Sequence, residues 1–317
     1  MEVSLLYHKN DKGIHGNHWK RNNYRFFQEE LPKHVNFHRY PIGDGFDCKL
    51  VKDSDVVILW SIREHNLEPM GLKGFEDLKC FKITRAPDAW QIDDNYNKTA
   101  KRLGIDLIVS FQSPNAQYTY LDRSIHYERF ILGIDPVTYK CPDNWEDRRG
   151  DVILSSGVLA NKSSRQSWFY RFRTDCARLP YIEHIIKATT NEAEYKYLGT
   201  DYWRLLTQYR ASIACMSFTS VLKYFEIPMC GLLLFAEVTQ LNQIAEMGFE
   251  DGVNCIYIDQ HNYKEKFQEF LNDPDNPKWK QIADNGRQLV LDNYTNEREV
   301  KRFVQYLEQS LVSPVAG

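Results

Sequence analysis

The sequence predicts an α/β protein built from two doubly wound parallel sheets. Short apolar segments rich in β-branched residues alternate with amphipathic ones, and the length of 317 residues suits two domains. The candidate strands of the first half are Val3–Tyr7, Val35–Tyr40, Val56–Trp60, Phe81–Arg85 and Ile105–Phe111. Those of the second half are Val152–Ser156, Ile182–Ala188, Ser212–Met216, Leu232–Ala236 and Cys255–Ile258.

Amphipathic segments between these strands predict helices. In the first half they are Trp19–Leu31, Gln91–Leu103 and Asn115–Asp122, and in the second half Ser164–Ala177, Asp201–Tyr209, Thr219–Cys230 and Leu241–Met247. Beyond Asp259 the apolar spacing predicts helices only, namely Tyr263–Asn272, Pro277–Asp292 and Asn296–Leu311. Pro228 lies inside a predicted helix, where we expect a kink or an early end.

A change of composition marks the predicted domain boundary. Residues 133–150 contain two Pro, several charges and little periodicity, as a linker does. A strand that ends in a Ser-Ser-Gly turn follows directly, as at the start of a second Rossmann-like domain. The predicted organisation is a first domain over 1–134, a linker over 135–150, a second domain over 151–297 and a final helix within 298–317.

Charge and cysteine usage narrow the class of protein. A net charge of −3 argues against a dedicated nucleic-acid binder. The 7 cysteines are scattered without a CxxC pair, which is typical of reduced thiols in a cytoplasmic protein. No signal peptide and no apolar window of about 20 residues is evident, so we expect a soluble protein without a membrane span. Peripheral membrane association remains open.

The segment after strand Ser212–Met216 is the first candidate site. Hydroxyls and free N–H groups around Thr219 and Ser220 suit a diphosphate, and Lys223 adds a cation in the first helical turn. Glu226 lies three residues further on the same helical face, where its carboxylate can accept from ribose hydroxyls. The alternative is that the hydroxyls cap the helix while Lys223 and Glu226 pair on its surface.

The loop that follows strand Val152–Ser156 is the second phosphate candidate. Gly157 opens this loop, and Lys162 and Arg165 supply cations within it. Fixed cations of this kind stabilise the charge that a leaving diphosphate gains, with no need for a metal. The alternative is a solvated loop with two surface cations.

The first domain supplies candidates for acid–base chemistry. In the glycine-containing loop after the first strand, His15 could face an acceptor, although the loop lacks the GxGxxG pattern of a dinucleotide site. Asp88 follows strand Phe81–Arg85 and is a candidate base for an acceptor hydroxyl, with capping of the next helix as its alternative role. Asp93 and Asp94 lie in a predicted helix and not at a strand end, so we predict no metal site.

Several short segments together resemble one family. They are Tyr202–Leu206, Leu222–Glu226, Gly231–Leu234, Gly248–Gly252, Ile282–Arg287 and Tyr294–Thr295. In this order they are similar to the C-terminal half of GT-B glycosyltransferases, the group 1 or family 4-like proteins, especially the CgeB-like branch. The resemblance covers about 110 residues and implies two Rossmann-like domains that face a cleft, with the final helix packed back toward the first domain.

The resemblance also implies roles for individual residues. A Glu at the position of Glu226 binds the ribose of a nucleotide-sugar in that family, and the basic residue at Lys223 lies near the phosphates. Many members have a second Glu eight residues earlier, near the donor sugar, where this sequence has Phe218. This difference leaves the donor-sugar contact and a retaining mechanism open.

Taken together, these features predict a metal-independent glycosyltransferase without a cofactor. It would move a sugar from a UDP- or GDP-sugar to an acceptor hydroxyl of a carbohydrate or glycoconjugate. The second domain would bind the donor and the first the acceptor. Two alternatives remain: a nucleotide-sugar epimerase or hydrolase of the same fold, and a non-catalytic nucleotide-sugar binder.

Overall fold

A computed structural model describes residues 1–8, 25–43, 45–60, 72–160, 170–185, 201–216 and 221–312. The chain divides into two compact units. The first comprises Met1–Gly133 together with Asn296–Gly317, and the second comprises Ile134–Thr295. The last helix therefore belongs to the first unit, although it follows the second unit in sequence.

The described residues form eleven β-strands in two sheets, and every paired strand is parallel to its neighbour. The first unit contains β1 (Glu2–His8), β2 (Asn36–Ile42), β3 (Val56–Trp60), β4 (Phe81–Arg85), β5 (Leu107–Ser110) and β6 (Tyr127–Arg129). The second contains β7 (Ile153–Ser155), β8 (Ile182–His184), β9 (Ala211–Ala214), β10 (Leu233–Glu237) and β11 (Ile256–Ile258).

The α-helices of the described residues are α1 (Asp94–Arg102), α2 (Pro114–Gln117), α3 (Arg171–Ala177), α4 (Tyr202–Leu206), α5 (Lys223–Met229), α6 (Tyr263–Asn272), α7 (Pro277–Asn293) and α8 (Asn296–Val312). Single turns of other helix types occur at Phe26–Glu30, Leu31–Lys33, Cys48–Val51, Ala89–Gln91, Trp145–Asp147 and Ala245–Met247. Every helix in these ranges is too short or too polar to cross a membrane.

The first sheet has the order β2-β1-β3-β4-β5-β6 and is covered on both faces. Neighbouring residues of one strand enter different cores, because side chains alternate between the faces of a sheet. Leu6 of β1 packs in one core with Tyr96 of α1. Leu5 packs in the other core with Phe27 and with Phe303 of α8. The predicted class, parallel sheets with helices on both faces, is confirmed.

Helix α8 is joined to the end of the first sheet by polar contacts as well as by its apolar face. The Glu299 carboxylate accepts a hydrogen bond of 2.7 Å from the backbone N–H of Ile131. The Asn296 side-chain oxygen accepts one of 2.9 Å from the N–H of Gly133. Both side chains are buried, so these contacts pair backbone groups that would otherwise lack a partner.

The second sheet has the order β11-β10-β9-β7-β8. Its core contains Ile213 of β9 and Phe235 of β10, which pack with Phe267 of α6 and Trp279 of α7. From β7 the chain moves to one side to form β8, and it then returns to form β9 on the other side. The connection that follows β7 leads toward β8 on one side, and the connection that follows β9 leads toward β10 on the other side. This reversal places a topological switch point between β7 and β9.

Candidate functional site

The switch point of the second sheet is where the candidate site lies. In sheets of this type a crevice opens beyond the carboxyl ends of the strands at the point where the strand order reverses. The segment that begins with Ser156 and Gly157 follows β7, and Cys215 and Met216 follow β9. Side chains from α3 and α5 reach these strand ends, and their contacts define the site.

Lys223 is the first residue of α5 and is partly buried. Its ammonium donates a hydrogen bond of 3.0 Å to the backbone carbonyl of Ser156, at the end of β7. Burial lowers the pKa of Lys223 to about 7, and the positive charge of Arg173 acts in the same direction, while Glu226 opposes both. The lysine is thus a cation held in a position that penalises its charge.

Arg173 of α3 joins the two strand ends across the switch point. One terminal nitrogen, Nη2, donates to the carbonyl of Cys215 at 2.8 Å, and the other, Nη1, donates to the carbonyl of Val158 at 3.1 Å. Only 4% of the residue is exposed. A buried guanidinium fits this place because it supplies several donors in a fixed plane.

Gly157 is the point that both cations approach. Its φ of +110° is a conformation that residues with a side chain rarely adopt. A Cβ at this position would lie 2.9 Å from the Lys223 ammonium and 3.0 Å from Arg173 Nη1. His184, at the end of β8, contacts the Gly157 carbonyl through Nε2 at 2.9 Å, and since a carbonyl only accepts, Nε2 carries the proton.

Glu226 lies one helical turn after Lys223 and is also partly buried. Its Oε1 accepts a hydrogen bond of 2.5 Å from the hydroxyl of Tyr139. Burial raises the pKa of the Glu226 carboxyl, while the Tyr139 hydrogen bond and the charge of Lys223 favour the ionised form. Tyr202, whose hydroxyl is 2.8 Å from Ser156 Oγ, is buried beside this carboxyl.

Glu237 adds a second carboxyl, at the end of β10. It accepts a hydrogen bond of 2.8 Å from the backbone N–H of Met216. Burial raises its pKa to about 7, although this hydrogen bond and the charge of Arg173 act in the opposite direction. The strand ends thus hold two cations and two carboxyls, a combination able to bind an anion and hydroxyl groups side by side.

A family profile described as glycosyl transferase-like matches residues 178–305. The matched range contains β8 to β11, and it includes both Lys223 and Glu226. This chain carries a glycosyl transferase-like domain. A search of curated proteins with the whole sequence found no match.

Several solved structures resemble this chain over nearly the full length of the chain. Anabaena HepE, crystallised with UDP and glucose, is 11% identical with a TM-score of 0.64, over 97% of this chain and 99% of HepE. A glycosyltransferase from Rickettsia africae is 9% identical with a TM-score of 0.60, over 99% of both chains. Sucrose-phosphate synthase from Thermosynechococcus elongatus is 8% identical with a TM-score of 0.60, over 99% of this chain and 100% of the synthase. At these identities the likeness shows the fold alone, and it confirms the predicted GT-B fold.

Within the glycosyl transferase-like domain and the segment before it, the structure brings together three residues that the sequence singles out. Lys223 contacts the carbonyl of Ser156 beside Gly157, and Glu226 follows Lys223 by one turn of α5. The other predicted site residues of this half, four in number, lie outside the described residues: Lys162, Arg165, Thr219 and Ser220. His15 of the first unit lies outside them as well.

Asp88 lies in the first unit, at the start of the turn Ala89–Gln91. Its carboxylate belongs to a capping box with Gln91, whose side chain accepts from the Asp88 N–H at 3.2 Å. The Asp88 Oδ1 also accepts a hydrogen bond of 2.8 Å from Gln112. The capping role considered above is therefore present, and the role of general base stays a prediction.

The sequence-based prediction lacks several side chains of the site, among them Arg173, Tyr139 and Glu237. Arg173 has one signal in the sequence, since it lies three residues before Cys176 on the face of a predicted helix that should be apolar. Tyr139 falls in the segment predicted as a linker, and nothing in its local sequence distinguishes it. The contacts of Arg173 and Tyr139 depend on residues distant in the chain.

Proposed function

We propose that this chain is a glycosyltransferase that moves a sugar from a nucleotide diphosphate-sugar to an acceptor hydroxyl without a required metal ion. The observation that carries the proposal is the placement of Lys223 and Glu226 one helical turn apart at the switch point of the second sheet. A cation and a carboxylate at this spacing suit the diphosphate and the ribose of one nucleotide. The glycosyl transferase-like profile over residues 178–305 supports the same reaction class.

The reaction breaks the bond between the anomeric carbon of the sugar and an oxygen of the diphosphate, which keeps the electron pair. The acceptor oxygen bonds to the anomeric carbon, and its proton passes to a base. The leaving diphosphate gains a negative charge, and the positive charges of Arg173 and of protonated Lys223 favour this change. Four further residues are proposed contacts of the diphosphate: Lys162, Arg165, Thr219 and Ser220.

Glu226 is the proposed ligand of the ribose. An ionised carboxylate is an acceptor only, with two oxygens that can receive hydrogen bonds from neighbouring hydroxyls. Tyr139 contacts Oε1, so Oε2 is the atom that best suits a ribose hydroxyl. For the acceptor side, Asp88 and His15 are the proposed acid–base groups, and the acceptor is a carbohydrate or a glycoconjugate.

A UDP- or GDP-sugar is the proposed donor. Crystal structures of Anabaena HepE with UDP and with UDP-glucose support UDP-glucose as the first compound to test. The whole chain would be incubated with UDP-, GDP-, ADP- and TDP-sugars, each with and without simple glycosides as acceptors and with EDTA present. Nucleotide release that depends on the acceptor is the expected result. Isomerised sugar indicates an epimerase, release without an acceptor indicates a hydrolase, and binding without turnover indicates a binder.

The variant Glu226→Ala tests the donor site. We expect it to weaken binding of UDP-glucose about 10- to 100-fold, because a hydrogen bond to a charged group contributes about 1.5–3 kcal/mol. Glu246→Ala is the matched control, since Glu246 is an exposed glutamate of the same unit. Equal affinities of a folded Glu226→Ala variant and this control would rule out the ribose assignment.

A further inference from the structure

The contact between Tyr139 and Glu226 links two segments that are 87 positions apart in sequence. Tyr139 is 2% exposed, and its hydroxyl donates to Glu226 Oε1 at 2.5 Å. The backbone around it is fixed by Asp135, whose carbonyl accepts from the N–H groups of Thr138 and Tyr139 at 3.0 and 2.8 Å. The Asp135 side chain accepts from the N–H of Val137 at 2.8 Å. A tight turn thus aims the phenol at the carboxylate.

We propose that Tyr139 is a positioning residue, which holds the Glu226 carboxylate ionised and oriented for the ribose hydroxyls of the donor. This inference rests on the proposed function, because it assigns to Tyr139 a role that acts through Glu226. The phenol O–H occupies one carboxylate oxygen and fixes the plane of the carboxylate. The second oxygen then points in one direction and does not sample several rotamers.

The surroundings of Glu226 show why the phenol matters. Burial raises the pKa of this carboxyl, and the Tyr139 hydrogen bond is the largest opposing influence, followed by the charge of Lys223. Tyr202 of α4 and Cys230 at the end of α5 also lie near the carboxyl, and the pKa of each is raised, first by burial and then by the charge of Glu226. Since burial also lowers the pKa of Lys223 to about 7, the lysine alone gives weak support to the carboxylate near neutral pH.

The test is Tyr139→Phe, which keeps the buried ring and removes only the hydroxyl. The titration of Glu226 would be followed by carbon NMR of the carboxyl in glutamate-labelled protein, with the signal assigned by its loss in Glu226→Gln. We expect the midpoint to rise by about one pH unit or more, as removal of a hydrogen bond to a charged group implies. An unchanged midpoint in the folded variant would overturn the inference, whether or not the chain is a transferase.

Tyr202→Phe is the matched control, because Tyr202 is a buried tyrosine beside Glu226 whose hydroxyl contacts Ser156 instead. It should leave the Glu226 midpoint unchanged. A shift of the same size in both variants would mean that general repacking, and not the Tyr139 hydrogen bond, controls the carboxyl. Thermal unfolding of each variant would show whether the fold is retained.

Binding of UDP-glucose connects the titration to function. Both phosphates of this probe are esterified and hold their charge between pH 5 and pH 8. We expect Tyr139→Phe to weaken its binding about tenfold at a pH between the two measured midpoints, where Glu226 is protonated in the variant but ionised in the unaltered chain, and less at a higher pH where it is ionised in both. In a Glu226→Gln background the same substitution should have no pH-dependent effect. If Glu226→Gln by itself binds UDP-glucose as tightly as the unaltered chain does, the ribose assignment fails. If Glu226→Gln binds it more weakly but Tyr139→Phe binds it as tightly as the unaltered chain, the positioning role fails.

Discussion

The ammonium of Lys223 donates a hydrogen bond of 3.0 Å to the backbone carbonyl of Ser156, and this contact joins the start of α5 to the end of β7. A carbonyl offsets the desolvation cost of a buried ammonium less than a directly paired carboxylate does. The charge of Lys223 is therefore costly until an anion arrives at the strand ends. A diphosphate would provide that anion, and this relationship sets the pH dependence of donor binding.

Binding of UDP-glucose should weaken as the pH rises through about 7, the pKa of Lys223 in the unliganded protein. Below this value the lysine is charged and attracts the diphosphate, whereas above it the site must first take up a proton. A loss of about tenfold between pH 6 and pH 8.5 is expected in calorimetric titrations. The variant Lys223→Arg keeps its charge over this range and should give a flatter profile. Parallel profiles of the two proteins would contradict this role.

Gly157→Ala should weaken binding of UDP-glucose about tenfold or more, because the added Cβ would lie 2.9 Å from the Lys223 ammonium and would displace it. The control is Gly252→Ala, at a glycine with φ of +71° and no neighbouring atom within 4 Å of an added Cβ. Both variants should lose about 1–2 kcal/mol of stability from backbone strain. Only Gly157→Ala should lose affinity, and equal affinities would show that Gly157 is not near the donor.

The strands could be predicted from the sequence because buried parallel strands are short apolar runs. Val56–Trp60 and Phe81–Arg85 were predicted with the bounds of β3 and β4. The strand β6 was missed, since Tyr127–Arg129 contains only three residues and two of them are charged. It pairs with β5 at the edge of the sheet, and that pairing is a tertiary contact with no periodicity of its own.

Helix bounds were less predictable, for local reasons. The segment Leu241–Met247 forms only the turn Ala245–Met247, because the buried Asn242 side chain donates to the Glu237 carbonyl and to the Tyr224 hydroxyl. These bonds hold the chain outside a regular helix. Pro228 lies inside α5, which ends at the next residue, Met229, one residue short of the predicted end.

Residues of the candidate site were predictable where a local segment signals them, as the Gly157 loop after β7 and the start of α5 do. Lys223 and Glu226 lie on the same helix, so their spacing in the sequence already places them together. Arg173 and Tyr139 reach the same place from other parts of the chain, through contacts that the packing of the second unit creates. No local pattern encodes such contacts.

Arg173→Met should destabilise the protein and also change the titration of Lys223. Methionine fills similar space but leaves the carbonyls of Val158 and Cys215 without their donor, at a cost of about 2–5 kcal/mol in the free energy of unfolding. Because the Arg173 charge lowers the pKa of Lys223, its removal should raise this pKa and move the weakening of UDP-glucose binding to higher pH. Denaturant unfolding and binding titrations across pH 6 to 9 measure the two effects.

Arg171→Met is the control for that variant, since Arg171 lies on the same helix and is exposed. It should change neither the stability nor the pH profile by a measurable amount, because surface substitutions of this kind rarely exceed about 0.5 kcal/mol. A pH profile of Arg173→Met that matches the profile of Arg171→Met would show that Arg173 does not act on Lys223.

Glu299→Ala should lower the free energy of unfolding by about 1–3 kcal/mol, because the N–H of Ile131 would lose its acceptor in a buried place. Glu299 is 2% exposed, and burial raises the pKa of its carboxyl while Arg302 and the Ile131 N–H oppose that change. The folded state therefore holds its proton to higher pH than the unfolded chain. The stabilising contribution of Glu299 therefore falls as the pH rises from its pKa in the unfolded chain, near 4.5, through its pKa in the folded protein. Glu299→Ala should lack this pH dependence of stability.

The control is Glu297→Ala on the same helix, where the carboxylate pairs with Lys301 at the surface and contributes about 0.3–0.5 kcal/mol. Chemical denaturation at pH 5 and pH 7.5 gives both values, and a Glu299→Ala variant as stable as the control would show that the buried carboxylate does not hold α8 to the first sheet.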